Sequence, residues 1–490
     1  MSERHTETDL RPSEEERDPA KADQTHFVRV LRLRSSSGRS VLLAVVALVI
    51  FFTALWDLSG SLRTSPFHPD ESRWINRAYY LREVLDPLSE TWADRYLIRG
   101  QPPTGSYFTG LSLLTQGRDL DTNNAWDFQF GFESNVTWNV TRDAMPAEED
   151  LIAARRGSMF VGALTAVLLF LIVAELTNIA GGIAAAVVLF VNPLNHYLST
   201  LATSDAVFTF FVSLSVASAV WLAKRPSWWR AVLLAVAMAL GASTKLSPLA
   251  VAAGFAVYGA VLICDPWLHA RARFGRFWRW LSRSPRGTER PLGWMLGVQP
   301  AVVAALFVLS YPYLWSAPIE RTRYLFAFRR QEMDNQAGFW PQAAITSREE
   351  AVRRTWENLN DRYSSSERLF REFGDMFGAD WSGVRIDLYL AVPGLLLLFY
   401  LAWSNGLASP HALCAAAVFG QSALILYALG VDFNRYYLPL LFATSLGVGV
   451  LVGCVSESIW ALAQRGLARR TSSGVKMSAP PANLIRVGDS

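Results

Sequence analysis

The chain has 490 residues, of which 51% are hydrophobic and 18% charged, with a formal net charge of +4. This hydrophobic share is high for a soluble enzyme and ordinary for a bundle of membrane helices. The small net charge, with its basic residues at the ends of apolar runs, points away from nucleic acid.

Residues 1–39 open the chain with charges of both signs and few apolar groups, and read as a disordered cytosolic tail. The first apolar run follows about forty polar residues, too late for a cleaved signal peptide. A membrane helix needs about 20 mostly apolar residues. Candidates lie near 40–58, 157–176, 178–194, 204–223, 228–246, 247–264, 293–314, 387–404, 409–430 and 436–456. The uncharged stretch from Leu388 to Val431 is too long for one span, and Ser404-Asn405-Gly406 with Pro410 marks a turn inside it. Cys264, Cys414 and Cys454 all fall in apolar stretches, as small packing residues do, so no disulfide framework or zinc site is indicated.

Positive charge tests this count of about ten spans. Basic residues cluster before the first span (Arg29, Arg32, Arg34, Arg39) and between the fourth and fifth (Lys224, Arg225, Arg230). They cluster again from Arg271 to Arg290 and after the last span (Arg465, Arg469, Arg470, Lys476). With ten spans all four blocks fall on the cytosolic side, together with both termini. Reading 228–264 as one span breaks that agreement, so two helices are expected there, joined near Lys245-Leu246-Ser247-Pro248. The fold class expected is an all-α integral membrane protein. It comprises a cytosolic tail (1–39), a membrane domain (40–464) and a second cytosolic tail (465–490). Two long extracytoplasmic loops, 59–156 and 315–386, carry short interfacial helices.

The first long loop opens with Pro66-Phe67-His68-Pro69-Asp70-Glu71-Ser72-Arg73-Trp74. Its prolines restrict the backbone and hold Asp70 near the membrane surface, where a carboxylate is costly unless it is paired or functional. If Pro69 opens a helix, Asp70 and Arg73 share a face and can pair. A structural alternative is that Asp70 only caps that helix. Gln101-Pro102-Pro103-Thr104-Gly105 then fixes a rigid turn, and Tyr107 to Leu114 reads as a helix lying at the interface. Asp119-Leu120-Asp121 has the spacing of an acidic metal pair, a common triplet. In the second loop, Arg329 to Gln336 and Phe339-Trp340-Pro341 suit sugar recognition, and equally a wet loop at an aromatic belt.

These residues resemble the motifs of C-type membrane glycosyltransferases, which use polyprenyl-phosphate sugars. The resemblance is to the lipid A aminoarabinose transferases and the protein O-mannosyltransferases. Asp70-Glu71-Ser72-Arg73-Trp74 is similar to their Asp-Glu-x-Arg-Tyr signature, and Gln101-Pro102-Pro103 to the x-Pro-Pro turn that follows it. Arg155-Arg156-Gly157-Ser158, Asn192-Pro193, Ala202-Thr203-Ser204-Asp205 and Thr244-Lys245 resemble later elements, and Arg435-Tyr436-Tyr437-Leu438-Pro439 their Arg-Tyr-x-x-Pro. The likeness covers about 40 to 445. It departs at Gly100-Gln101, where the aminoarabinose transferases carry Glu-Lys with a metal-binding glutamate. It also lacks the large luminal domain of the O-mannosyltransferases.

The resemblance implies a plasma-membrane enzyme that moves a hexosyl or pentosyl unit from a polyprenyl-phosphate carrier to a cell-envelope glycan, lipid or protein, with inversion. Asp70 is expected as general base, with Glu71 in a catalytic, supporting or metal role. Arg73, Lys245 and Arg435 are expected to bind the donor phosphate, and Asp205, Tyr436 and Gln101 to support them. No cofactor is fixed, and a divalent metal is left open. The alternatives are a lipid-linked-sugar transporter or flippase, which usually places its charges mid-bilayer, and a protein O-mannosyltransferase proper.

Overall fold

A computed structural model describes residues 36–94, 100–125, 128–129, 132–270, 278 and 287–474. Residues 1–35 of the expected first tail (1–39), 475–490 of the second (465–490) and most of the basic stretch 271–286 lie outside the described residues, whereas 36–39 and 465–474 are helical. The chain divides into two compact units, Val45–Glu457 and Met1–Ala44 with Ser458–Ser490. The site described below belongs to the first. Among the described residues the structure is helical, with one isolated antiparallel bridge between Ala344 and Val431.

The helices used below are α1 (Ser36–Ser59), α2 (Pro69–Asn76), α3 (Thr104–Leu114), α4 (Glu148–Leu176), α5 (Ile179–Val191) and α6 (Pro193–Ser199). They continue as α7 (Ser204–Lys224), α8 (Trp228–Ala242), α9 (Ser247–Ala270) and α10 (Glu289–Leu309). The last are α11 (Pro318–Phe339), α12 (Arg348–Trp356), α13 (Ser365–Phe377), α14 (Asp387–Asn405), α15 (Pro410–Ala428) and α16 (Leu438–Gly474). Eight of them, α1, α4, α7, α9, α10, α14, α15 and α16, are long and apolar enough to cross a membrane. α5 and α6, bent 66° apart, make a ninth if counted together.

The expected span at 228–246 forms only the 15-residue α8. At 1.5 Å per residue that is roughly 22 Å, short of the ~30 Å hydrocarbon core. α8 nevertheless returns the chain to its starting level. Lys245, just past its end, lies 2.5 Å from Asp205 at the start of α7.

Local chemistry sets the breaks. Asn192 is extended because it precedes Pro193, and its Oδ1 accepts from the Leu194 and Asn195 amides to cap α6. Its Nδ2 donates to the Tyr363 carbonyl at 2.5 Å and to Ser365 Oγ at 2.9 Å, fastening the second loop to the bend. The turn expected at Ser404-Asn405-Gly406 is present. Gly406 takes φ +87°, open to glycine at no steric cost, and Ser409 caps α15. α7 and the Leu438–Arg465 part of α16 form the centre, with 78% of their most apolar stretch buried, against 17% for α1.

The first loop is not a loose cap. Ile75, Tyr79, Tyr80, Trp92 and Leu113 pack with Phe307, Tyr311, Tyr313 and Leu314 at the end of α10. Each fully buried large apolar side chain stabilises by roughly 1.5–3 kcal/mol. α3 is largely buried and packs against α4. Ser112 faces α4, its Oγ donating to the Ala153 carbonyl at 2.6 Å, whereas Gly105 lies against Ser204 and Trp74, and Gly110 against Ala78 and Leu81.

α14 and α16 touch backbone to backbone. A Cβ on Gly394 would lie 1.8 Å from the Gly447 carbonyl oxygen, whereas one on Gly254 meets nothing within 4 Å. Gly394→Val should therefore cost about 1–3 kcal/mol or more through overpacking, read as a fall in thermal midpoint in detergent. Gly254→Val is the control; equal midpoints for the two variants would contradict this packing.

Candidate active site

Pro69 opens α2 as expected. His68 caps it, accepting from the Asp70 amide at 3.1 Å, while Glu71 accepts from the His68 amide at 2.9 Å, so a reciprocal capping box fixes the helix start. Asp70 is thereby pointed at the segment before α16, where its carboxylate pairs with Arg435. That segment is braced by Asp432, a nearly buried carboxylate. Asp432 accepts from Tyr437 Oη at 2.6 Å and Asn358 Nδ2 at 2.9 Å, with Arg354 at 3.4 Å and Arg362 at 3.8 Å. The Ile345 amide to the Gly430 carbonyl, 2.9 Å, and the Asp432 amide to the Ala343 carbonyl, 2.7 Å, stitch the second loop to it.

The second ion pair lies alongside. Lys245 Nζ donates to Asp205 Oδ1 at 2.5 Å, and Thr203 Oγ1 donates to Asp205 Oδ2 at 3.0 Å. The two pairs meet over Tyr436, whose ring centroid is 5.6 Å from both Lys245 Nζ and the Arg435 guanidinium carbon. Burial opposes the charge on Arg435, but Asp70, Tyr436 and Asp205 outweigh it and raise its pKa above the ordinary value.

These groups line one cavity of about 1140 Å³. It contains Asp70, Arg73, Gln101, Asp205, Lys245, Arg435 and Tyr436, every candidate from the sequence except Glu71. One flank is polar, with Arg329, Arg330, Glu332, Asp334 and Gln336 of α11 and Arg348 of α12. The other is apolar, with Leu246 and Ala250 beside α9 and Leu424, Tyr427 and Ala428 of α15.

Glu71 is put to a different use. It is fully buried and out of the cavity, and all of its acceptor capacity is taken. Arg155 donates to both its oxygens at 2.8 and 2.7 Å, and the His68 and Ala202 amides take the rest at 2.9 and 2.8 Å. Arg155 also donates to the carbonyls of Leu62, Ser65 and Pro66. The pair thus ties α1, α2, α4 and the start of α7 into one corner under Asp70.

Sequence reasoning missed three residues. Asp432 stands three places before Arg435, a signal the motif carried unread. Arg348 gave no signal beyond charge. Arg77, fully buried behind Gln101, donates to Gln101 Oε1 at 2.5 Å and to its carbonyl at 2.7 Å, and stacks over Trp74 at 4.7 Å.

A metal does not fit here. Among the described residues no three Asp, Glu, His or Cys side chains converge as ligands. At Gly100, where the resembling family has its metal-binding glutamate, a Cβ would lie 1.9 Å from Phe328 Cε1, so the ring fills that space. Asp119 is a turn residue, accepting from the Leu120 and Asp121 amides, and Asp121 pairs with Arg82.

Residues 123–284, which hold Arg155, Asp205 and Lys245, match the family model of dolichyl-phosphate-mannose-protein mannosyltransferases. The resemblance to the C-type membrane glycosyltransferases is borne out. ArnT from Cupriavidus metallidurans, solved with undecaprenyl phosphate, is similar in structure. It has 17% identity and a TM-score of 0.45, over 90% of this chain and 64% of that one. AglB from Archaeoglobus fulgidus, an oligosaccharyltransferase solved with an inhibitory peptide and a dolichol-phosphate, has 10% identity and a TM-score of 0.45, over 89% and 52%. The Pmt1-Pmt2 complex of S. cerevisiae, bound to the sugar donor, has 15% identity and a TM-score of 0.33, over 61% and 36%. The chain spans less than two thirds of the length of each. No curated protein matches the sequence.

Proposed function

We propose that this protein transfers a sugar from a polyprenyl-phosphate carrier to a hydroxyl acceptor of the cell envelope, on the outer face of the plasma membrane, with both termini in the cytosol. One observation carries this reading. A single cavity joins a carboxylate and two cations to an apolar flank between two spans, the pairing of environments that a lipid-borne phosphate requires. The charges gather at helix ends, which disfavours a transporter. The family match makes mannose the first sugar to try.

The polyprenyl tail lies along Leu246, Ala250 and Leu424, and Arg435 and Lys245 hold the phosphate. Asp70 takes the acceptor hydroxyl's proton as the oxygen bonds to the anomeric carbon. The bond from that carbon to the phosphate oxygen breaks, and its electron pair leaves with the phosphate. The product is a phosphate monoester with a second pKa near ~6, so it departs as an anion without a general acid. Attack comes from the face opposite the phosphate, which inverts the anomeric centre. Without donor, Asp70 is held by Arg435. The incoming phosphate competes for that guanidinium and frees the base, so donor binding precedes acceptor activation. Glu71 and Arg155 position α2 and do no chemistry.

Arginine grips phosphate in a bidentate fork that lysine lacks. Arg435→Lys should slow transfer about 10- to 100-fold, the loss of ~1.5–3 kcal/mol of charge-assisted hydrogen bonding. The assay is release of dolichyl phosphate from dolichyl-phosphate mannose by membranes that carry the native acceptor. Full activity at equal expression would rule out the clamp. Mass spectrometry of envelope glycans and glycoproteins with and without the gene should show one hexose or pentose missing, naming the acceptor.

A further inference from the structure

We infer that Gln101 donates a hydrogen bond to the sugar of the donor lipid, and that Arg77, buried behind it, is the positioning residue that sets its amide. This rests on the function proposed above.

Arg77 is 1% exposed and, among the described residues, forms no ion pair with a carboxylate. Its cationic face is covered by rings, Trp74 at 4.7 Å and Tyr80 at 5.8 Å. A buried cation without a counter-ion is expensive, and this one directs two of its donors at a single residue, Gln101. The consequence for Gln101 is chemical. A guanidinium only donates, so the amide atom that faces it must be the acceptor, Oε1. The Nε2 group, with both its N–H donors, is left for the cavity that Gln101 lines. Polarisation by the adjacent cation strengthens those donors.

Their target follows from charge. The lipid phosphate is drawn to Lys245 and Arg435. A neutral amide beside the Trp74 and Pro102 surfaces instead suits the neutral oxygens of a sugar ring. The arrangement also accounts for the departure at 100–101, where a glutamate is replaced by Gly100 and the pocket wall is completed by Phe328. In this chain the corner recognises a sugar through a fixed amide rather than through an acidic ligand set.

The test compares two lipids, dolichyl-phosphate mannose and bare dolichyl phosphate, binding to the purified full chain. Gln101→Leu should weaken the mannosylated lipid roughly 3- to 10-fold, the worth of one net hydrogen bond, and leave the bare lipid unchanged. Gln101→Leu also takes one acceptor from the buried Arg77, so its thermal midpoint is read alongside, and unchanged binding of the bare lipid shows that the fold survives. Arg77→Lys should give the same selective loss, and the double variant no further loss, because Arg77 acts through Gln101. Equal weakening of both lipids would put Gln101 on the phosphate and overturn the assignment. No weakening of either, additive effects in the double variant, or a wild type with no preference for the mannosylated lipid would overturn it as well. A wild type that binds neither lipid would instead strike the function on which the inference rests.

Discussion

Replacing Asp70 by asparagine is expected to lower sugar transfer by about 10²–10⁴-fold, the usual share of a general base, while the protein still folds and binds its donor lipid. Asparagine is nearly isosteric, and the position is half-exposed, so the capping box of His68 and Glu71 survives. Dolichyl phosphate affinity should hold or rise, because Arg435 loses its competing carboxylate. That opposite movement of binding and rate separates a base from a residue needed only for structure. Assays are transfer of label from dolichyl-phosphate mannose and, in parallel, binding of dolichyl phosphate. Unchanged transfer would remove Asp70 from the chemistry; loss of both together would make it a scaffold residue.

The second large effect belongs to a residue outside the cavity. Arg155→Met should destabilise the protein by about 3–5 kcal/mol, as expected when one partner of a buried ion pair is deleted. Arg155 and Glu71 are 2% and 0% exposed. The substitution strands a buried carboxylate and leaves the carbonyls of Leu62, Ser65 and Pro66 without their donor. Thermal unfolding in detergent, with the yield of monodisperse protein, reads the effect. Restoring both sides with apolar residues, Glu71→Leu with Arg155→Met, should recover part of the loss, since the unpaired charge is then gone. A single variant as stable as the wild type would mean that the corner is not held by this pair.

Much of this molecule is legible in its sequence because membrane helices announce themselves by length and charge. Each of the ten expected spans meets a helix, though among the described residues only eight, or nine with the bent pair, are long and apolar enough to cross a membrane, and the turns at Lys245-Pro248 and Ser404-Pro410 fall where proline and glycine put them. α8 ran shorter than expected because the chain leaves helical geometry after Ala242, before the next span starts at Ser247. The gathering of Asp70, Lys245 and Arg435 was also readable, since topology alone sends them to one side. What the sequence hid was pairing. Asp70 and Glu71 are adjacent and chemically alike, yet one lines the cavity and the other is spent on Arg155, 84 positions away. Period and spacing carry no information about such a contact. The packing of α3 was hidden for a related reason: its glycines and serines look neutral in one dimension and only gain meaning against the residues they meet, Ser204 and Trp74 at Gly105, Ala78 and Leu81 at Gly110, and α4 at Ser112.

The most direct test of the central claim is photolabelling in native membranes with a diazirine-bearing polyprenyl phosphate, followed by peptide mapping. The label should fall on the peptides around Leu246–Ala250 and Leu424–Ala428, and excess unlabelled dolichyl phosphate should displace it. Labelling spread over the lipid-facing helices without competition, or confined to the ends near Lys224 and Ala270, would contradict a lipid-phosphate site in this cavity.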